Sequence, residues 1–407
     1  MALPDDPHLP GSSGKARAKI PRTVWALGFV SLFMDVSSEI IHALLPLFMT
    51  ATLGLSVAMV GLVDGIAEAT ANIVKIFSGY VSDRIGRRKP LILLGYGLGA
   101  LSKPFFPLAS GVAFILGARF LDRVGKGLRG APRDALVADV TPPAIRGRAF
   151  GLRQSLDTVG AFLGPLLAIL LMIAFANNMR AVFWIAAIPA IVAVLCVIYG
   201  VEDRVDASAG TSARAPIRIA ELRRLDRRYW RVVAIGVLFT LARFSEAFLI
   251  LKANAEGLPL ALAPLVLVAM NLVYALGAYP AGAMSDALPA RHLLLWGLGC
   301  LVAADLALAF APGLPGTFAG IALWGGHMAL TQGLMAKLVA DHAPAELRGS
   351  AFGLFNLATG LALLFASVIA GLIWDHFGNR AAFMAGASFA AAAFLAMVFR
   401  QSRPAAS

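Results

Sequence analysis

Charge is scarce in this chain. Only 14% of its 407 residues are Asp, Glu, Lys or Arg, 59% are hydrophobic, and the mean hydropathy is +0.78. A soluble domain of this length carries about 25% charged residues, so the deficit excludes a water-soluble globule and makes lipid the solvent. Cysteine is rarer still: Cys196 and Cys300 both fall in apolar runs, which leaves no disulfide framework and no cysteine-based metal centre. No H-E-x-x-H or G-x-S-x-G arrangement occurs and no soluble domain is present, which argues against a membrane-embedded enzyme. The strand alternation of an outer-membrane barrel is also missing. Residues 1–22 lack the apolar core and cleavage site of a signal peptide and read as a basic tail.

What is present is a series of long apolar runs rich in Leu, Ala and Gly. A helix needs about 20 mainly apolar residues to cross the hydrocarbon. Twelve such stretches are predicted over 23–50, 58–80, 91–110, 112–131, 146–174, 180–199, 230–254, 261–283, 291–310, 315–341, 347–374 and 380–399. The longest polar interval, 201–229, is rich in Arg, Asp, Ala and Ser and divides six helices from six. The expected organisation is a tail (1–22), a six-helix bundle (23–200), a linker (201–229), a second six-helix bundle (230–400) and a tail (401–407).

A net charge of +12 and a pI near 10.2 raise the alternative of a nucleic-acid partner, which the placement of the basic residues argues against. They cluster in alternate connections: Lys15, Arg17, Lys19 and Arg22, then Arg84, Arg87, Arg88 and Lys89, then Arg146 and Arg148, then Arg204 through Arg231, Arg291, Arg348, Arg400 and Arg403. The other connections hold little beyond Arg180 and Arg380. This positive-inside bias predicts both termini in the cytoplasm of an inner (plasma) membrane protein.

The halves repeat at an offset of about 202 residues. Residues 137–152 and 339–354 agree at ten of sixteen positions, including Val137-Ala138-Asp139 with Val339-Ala340-Asp341, Pro142 with Pro344 and Ala149-Phe150-Gly151-Leu152 with Ala351-Phe352-Gly353-Leu354. Ser38-Glu39 and Ser245-Glu246 repeat at a slightly larger offset. Two related bundles around a central site build transporters that rock between two openings.

Three motifs refine this reading. Between the second and third helices lies Gly79-Tyr80-Val81-Ser82-Asp83-Arg84-Ile85-Gly86-Arg87-Arg88-Lys89-Pro90, which resembles the signature loop G-x-x-x-D-R-x-G-R-[RK] of the major facilitator superfamily. The resemblance implies that Asp83 faces a helix N-terminus of the other half, where a carboxylate is worth about 0.3–1 kcal/mol, and that the arginines latch the cytoplasmic side. The second copy, from Gly282, keeps Ser285, Asp286 and Arg291 without the arginine cluster. The fifth helix carries Gly160, Gly164 and Pro165. These give a close-packing seam with a kink, and they also resemble the superfamily's antiporter motif G-x-x-x-G-P-x-x-G, with Ala168 at the last glycine, which implies export. Arg119-Phe120-Leu121 in the fourth helix resembles a segment linked in the family to proton transfer. The family's plan implies that helices 1, 4, 7 and 10 line the cavity.

Ionisable side chains inside hydrocarbon cost about 2.5–3.5 kcal/mol each on insertion scales and mark cavities or pairs. Those predicted near the cavity are Asp35, Glu39 and His42 on one face of helix 1, Asp64 and Glu68 with Lys75 on helix 2, and Arg119, Asp122 and Arg123 with Lys126 on helix 4. Asp157 on helix 5, Arg243 and Glu246 on one face of helix 7, and His327 in helix 10 complete the set. Lys103 and Asp305 depart from the plan. Arg153 with Asp157 and Arg243 with Glu246 read as structural pairs. Asp35 and Glu39 read as the proton carriers, because two neighbouring carboxylates cannot both ionise cheaply and one holds a proton.

Asp35, Glu39, His42 and His327 are also the N and O donors a divalent transition metal accepts, although packing is the commoner role of such histidines. Phe33, Phe239, Phe244, Tyr274 and Trp324 suit either an apolar pocket or bundle packing. The sequence is thus identified as a facilitator-type secondary transporter, expected as a monomer in a lipid bilayer. It is expected to be driven by the proton gradient without a cofactor and to export small organic solutes. Metal export and proton symport are the alternatives within transporters. A transport-inactive sensor is argued against by the dense intramembrane charge.

Overall fold

The computed structural model describes residues 19–85, 87–203, 225–344 and 347–399. Of the expected tails and linker, only 19–22, 201–203 and 225–229 are among them. The described residues form twelve spans. The first six are α1 (Arg22–Thr52), α2 (Val57–Ile85), α3 (Lys89–Leu108), α4 (Val112–Val140), α5 (Arg146–Ala174) and α6 (Met179–Gly200). The second six are α7 (Arg227–Ala255), α8 (Leu265–Ala287), α9 (Ala290–Phe310), α10 (Gly313–His342), α11 (Arg348–Phe377) and α12 (Asn379–Phe399). Each lies within a few residues of its predicted position except at the basic end of α4, where nine further residues stay helical.

Local chemistry sets the ends and the breaks. Asn178 caps α6 by accepting from the Ala181 N–H at 3.1 Å, and Gly378, at φ +84°, ends α11 where an L side chain would be strained. Pro46 lacks the amide that would continue α1, which finishes in a π turn over Phe48–Thr52, with the Thr50 hydroxyl donating to the Pro46 carbonyl at 3.0 Å. Two spans differ from expectation. α3 stops at Ser102 and resumes as Phe105–Leu108 around Pro104. α7 is two helices, Arg227–Ala242 and Ala247–Ala255, with Arg243 extended at φ −118° and ψ 118°. Arg243 and Glu246 therefore flank a break and do not share a helix face.

Pairings in the first half recur in the second. α1 packs on α5, α2 on α4, and α3 on α4 and α6; α7 packs on α11, α8 on α10, and α9 on α10 and α12. These are two copies of one six-helix arrangement. Phe77, Leu170, Ile173 and Leu276, each more than 60% exposed, form part of an outward apolar surface of the kind lipid covers. Ten of the twelve spans are long and apolar enough to cross a membrane by length and composition. The exceptions are the equivalent helices α4 and α10. α4 carries Arg119, Asp122, Arg123, Lys126, Arg129, Arg133, Asp134 and Asp139, most of them turned away from the lipid side.

The halves meet chiefly along α2 and α11. Glycine makes this approach possible: a Cβ on Gly61 would lie 2.2 Å from the Ser367 carbonyl oxygen, and one on Gly371 would lie 2.5 Å from Ala58 Cα. Gly61→Ala should therefore cost about 1–3 kcal/mol by overpacking and lower the melting temperature of the detergent-purified protein. Gly97→Ala, which meets nothing within 4 Å, should leave it unchanged. Equal melting of both variants would contradict the seam.

Candidate transport site

The end carrying the α2–α3, α4–α5 and α10–α11 connections is called the basic face here, and the opposite end the far face. Between them the intramembrane charges sort into pairs. Arg119 of α4 donates from Nη2 to Asp64 Oδ1 of α2 at 2.7 Å, and the hydroxyl of Ser245, in the α7 break, donates to Asp64 Oδ2 at 2.7 Å. Asp64 thus joins both halves. Lys103, at the α3 break, donates to Asp122 at 2.9 Å and to the Ser38 hydroxyl at 3.0 Å, and Arg123 reaches Glu68 at 3.1 Å and Asp122 at 3.8 Å. Asp64, Arg119, Asp122 and Arg123, expected to line the cavity, are buried and paired. In hydrocarbon these partners are what make the charges tolerable.

α1 and α5 meet on the antiporter-like motif. A Cβ on Gly160 would come within 3.1 Å of Asp35 Cβ, and one on Gly164 within 2.5 Å of Glu39 Cβ. Asp35 and Glu39 consequently face α5 inside the protein, and the motif glycines form the packing seam. The two carboxyls do not pair with each other. Glu39 lies 3.6 Å from His42 Nδ1, whereas Asp35 faces the stretch of α5 that carries Asp157, one turn before Gly160. Asp157 is in turn 3.7 Å from Arg153 and 3.9 Å from Arg133. The expected Arg153–Asp157 pair is present. No ion pair within 4.0 Å joins Arg243 and Glu246, which flank the break, among the described residues.

A cavity of about 350 Å³ lies between α2, α7, α10 and α11. Glu68, Arg243 and His327 line it, with Asn72, Gln332, Asn356, Phe239 and Phe355. Of the aromatic candidates only Phe239 reaches its wall. Phe244 is buried against Phe248, Phe383 and the equally buried Trp324, Phe33 stacks on Phe29, and Tyr274 packs against the core. His327 stacks on Phe239 with ring centroids 6.2 Å apart, and its Nδ1 donates to the Gly297 carbonyl at 2.8 Å, so Nε2 is its acceptor nitrogen when neutral. Met335, Ala336 and Phe352 place the cavity toward the basic face. Toward the far face the halves share a continuous apolar core in which Leu44, Phe48, Phe248, Leu267 and Met270 are at most 1% exposed.

Each face has its own fastening. On the basic face, Arg88 donates to the Ser82 hydroxyl at 2.7 Å and to Asp139 of α4 at 3.4 Å, and Asp203 accepts from the Arg88 and Lys89 amides at the start of α3. Arg87 is exposed. Only helical backbone is described for Gly79, Asp83 and Arg84, and Gly86 lies outside the described residues, so the contact inferred for Asp83 falls there too. On the far face, Asp375 at the end of α11 accepts from the Val57 and Ala58 amides of α2, each at 2.9 Å, capping one half with a carboxylate of the other. Nearby, Glu256, outside the spans, accepts from Lys252 and from the Gly313 amide at 3.2 Å. The lysine's hydrogen bond holds this carboxyl below its ordinary range. Its contribution is therefore present at neutral pH and is lost only as pH falls through the lowered value.

Sequence reasoning missed Asp375, whose signal was an acidic residue at the end of a span matched to a helix start where the Ser56 hydroxyl takes the Met59 amide and leaves those of Val57 and Ala58. Asp35, Glu39, His42 and His327 are not assembled into one donor set, and no group of three or more metal-binding side chains occurs among the described residues. Asp305 is fully buried, with neither carboxyl oxygen hydrogen-bonded to a described residue.

The chain matches the Major Facilitator Superfamily profile over residues 27–269 and 247–407. It is 30% identical over 362 residues to an MFS-type transporter of Methanocaldococcus jannaschii, covering 88% of this chain and 89% of that one. It is 25% identical over 364 residues to the Multidrug resistance protein MdtH of Shigella boydii, covering 89% and 86%. Among solved structures, the nucleoside transporter NupG superposes with a TM-score of 0.79 at 11% identity, covering 94% of this chain and all of that one.

The far-face contacts generate a prediction. Asp375→Ala and Ser245→Ala should each weaken closure by about 1–2 kcal/mol, or about five- to thirtyfold. Thiol labelling of Ala370→Cys, introduced into a Cys196→Ala/Cys300→Ala background, should accelerate accordingly in detergent. Unchanged labelling would mean that neither contact holds this face shut.

Proposed function

Because the chain belongs to the Major Facilitator Superfamily, we propose that it is a proton-coupled exporter of small organic solutes, working by alternating access across an inner membrane with its basic face in the cytoplasm. One observation supports the coupling: a Cβ on Gly160 would lie 3.1 Å from Asp35 Cβ, and Asp157 stands one turn before that glycine, so the seam of α1 and α5 brings the two acids to the same contact. Two carboxylates brought together inside the protein repel, and a shared proton turns such a contact into a hydrogen bond. Loss of that proton frees Asp157 for Arg153 and Arg133, already 3.7 and 3.9 Å away. Proton binding thereby becomes a choice between two packings of α1 on α5.

The orientation follows the basic connections, and the cavity on the basic side then takes up solute from within. Export of organic solutes is supported by the likeness to a multidrug resistance protein and by a cavity wall that mixes aromatic, amide and hydroxyl groups. In the cycle we infer, solute enters from the basic face, Asp64 releases Ser245, and Asp375 releases α2. The far face opens, and a proton taken up there by Asp35 and Asp157 resets the carrier. One chain supplies both halves, so a monomer suffices.

The test uses inverted membrane vesicles with an imposed pH gradient, read by a pH-sensitive dye, with ethidium, chloramphenicol and 1-naphthoate offered in turn. Wild type should release protons with at least one of them. Asp35→Asn and Asp157→Asn should each reduce that release by at least tenfold, whereas Glu39→Gln should reduce it less. Undiminished release in both aspartate variants removes the pair from coupling.

A further inference from the structure

Among the described residues, one cation that lines the cavity has no hydrogen-bonded or ion-paired partner. Arg243 makes no side-chain hydrogen bond and no ion pair within 4.0 Å with any described residue, yet it lines a cavity of about 350 Å³ inside the bilayer region. The cavity's acidic lining residue, Glu68, does not neutralise it, because Arg123 holds that carboxylate at 3.1 Å. Glu246, three positions on, feels the charge of Arg243 more strongly than those of His42, Glu39 and Glu68, but it is not among the residues lining the cavity and no ion pair within 4.0 Å joins the two. His327, also acted on by Arg243, has its Nδ1 committed to the Gly297 carbonyl.

The fold has gone out of its way to present this group. Arg243 sits where α7 abandons helical geometry without a proline or glycine in the break, so the guanidinium projects from an extended residue between two helical segments. A guanidinium offers a planar fork of donors that matches a carboxylate with two parallel hydrogen bonds. Around it, Asn72, Gln332 and Asn356 supply amides, and Phe239 and Phe355 supply apolar faces. The volume is at the small end of ligand sites, enough for one compact organic molecule.

We propose that the transported solute is a small organic acid whose carboxylate docks on Arg243 while its apolar body lies against Phe239 and Phe355. This rests on the carrier reading above and adds the class of its substrate. Loading an anion also removes the uncompensated charge from the cavity, so the loaded carrier crosses the closed intermediate more readily than the empty one.

The experiment compares acid and amide isosteres on the detergent-purified full chain: benzoate with benzamide, and 1-naphthoate with 1-naphthamide, by thermal stabilisation and titration calorimetry. Wild type should bind at least one acid at least tenfold more tightly than its amide. Arg243→Gln should lose that preference, and Arg243→Lys, which keeps the charge without the fork, should retain part of it. Equal binding of acid and amide, undiminished acid binding by Arg243→Gln, or no acid binding by wild type overturns the proposal. The acid–amide comparison in wild type stands even if a variant does not fold. Acid binding without proton release counts against coupling alone, and ethidium-driven proton release without acid binding counts against the organic-acid substrate alone.

Discussion

The carboxylate of Asp64 is the contact around which the two halves are arranged. One oxygen takes the Arg119 guanidinium of its own half, and the other takes the Ser245 hydroxyl of the opposite half. Both are buried where water cannot replace them, so neither can leave at little cost. The position of Ser245 depends on the interruption of α7, and the interruption also exposes Arg243. A single acidic group on α2 therefore connects helix geometry in the second half, closure of the far face and the shape of the cavity wall.

The intramembrane charges follow one rule with graded exceptions. Where helices pack tightly, as with Lys103 and Asp122 or Asp64 and Arg119, buried charges have partners within hydrogen-bonding distance, Asp305 being the exception among the described residues. Where the protein opens toward the cavity, Glu68 is shared with a neighbour and Arg243 has no contact partner among the described residues. Fixed pairs hold each six-helix unit rigid, and residual charge is concentrated where a solute or proton can compensate it. That division of labour suits a machine that moves as two bodies.

Much of this was legible in the sequence. Helix positions followed from the length of apolar runs, and the doubling of the fold from the repeated Val-Ala-Asp and Ala-Phe-Gly-Leu segments. The Gly160 and Gly164 seam was visible as spacing. What could not be read was partner choice. Asp35 and Glu39 share a helix face, and spacing alone suggested that they act on each other, but the close approach of α5 brings Asp157 to one and leaves His42 to the other. The α7 break carries neither proline nor glycine, and it is sustained by Ser367 and Asp64 from other helices, contacts that only tertiary structure reveals. Asp375 was overlooked for the same reason, since its partners are backbone amides more than 300 positions away.

The seams between the halves are unequal. α2 lies against α11 along a glycine-lined track, whereas α5 touches α8 and the Leu260–Leu262 turn over a shorter stretch. In the proposed cycle, opening the far face would therefore have to part more tightly packed surface along α2 and α11 than along α5 and α8, and the glycines that let the first pair approach would set most of the resistance to that stroke.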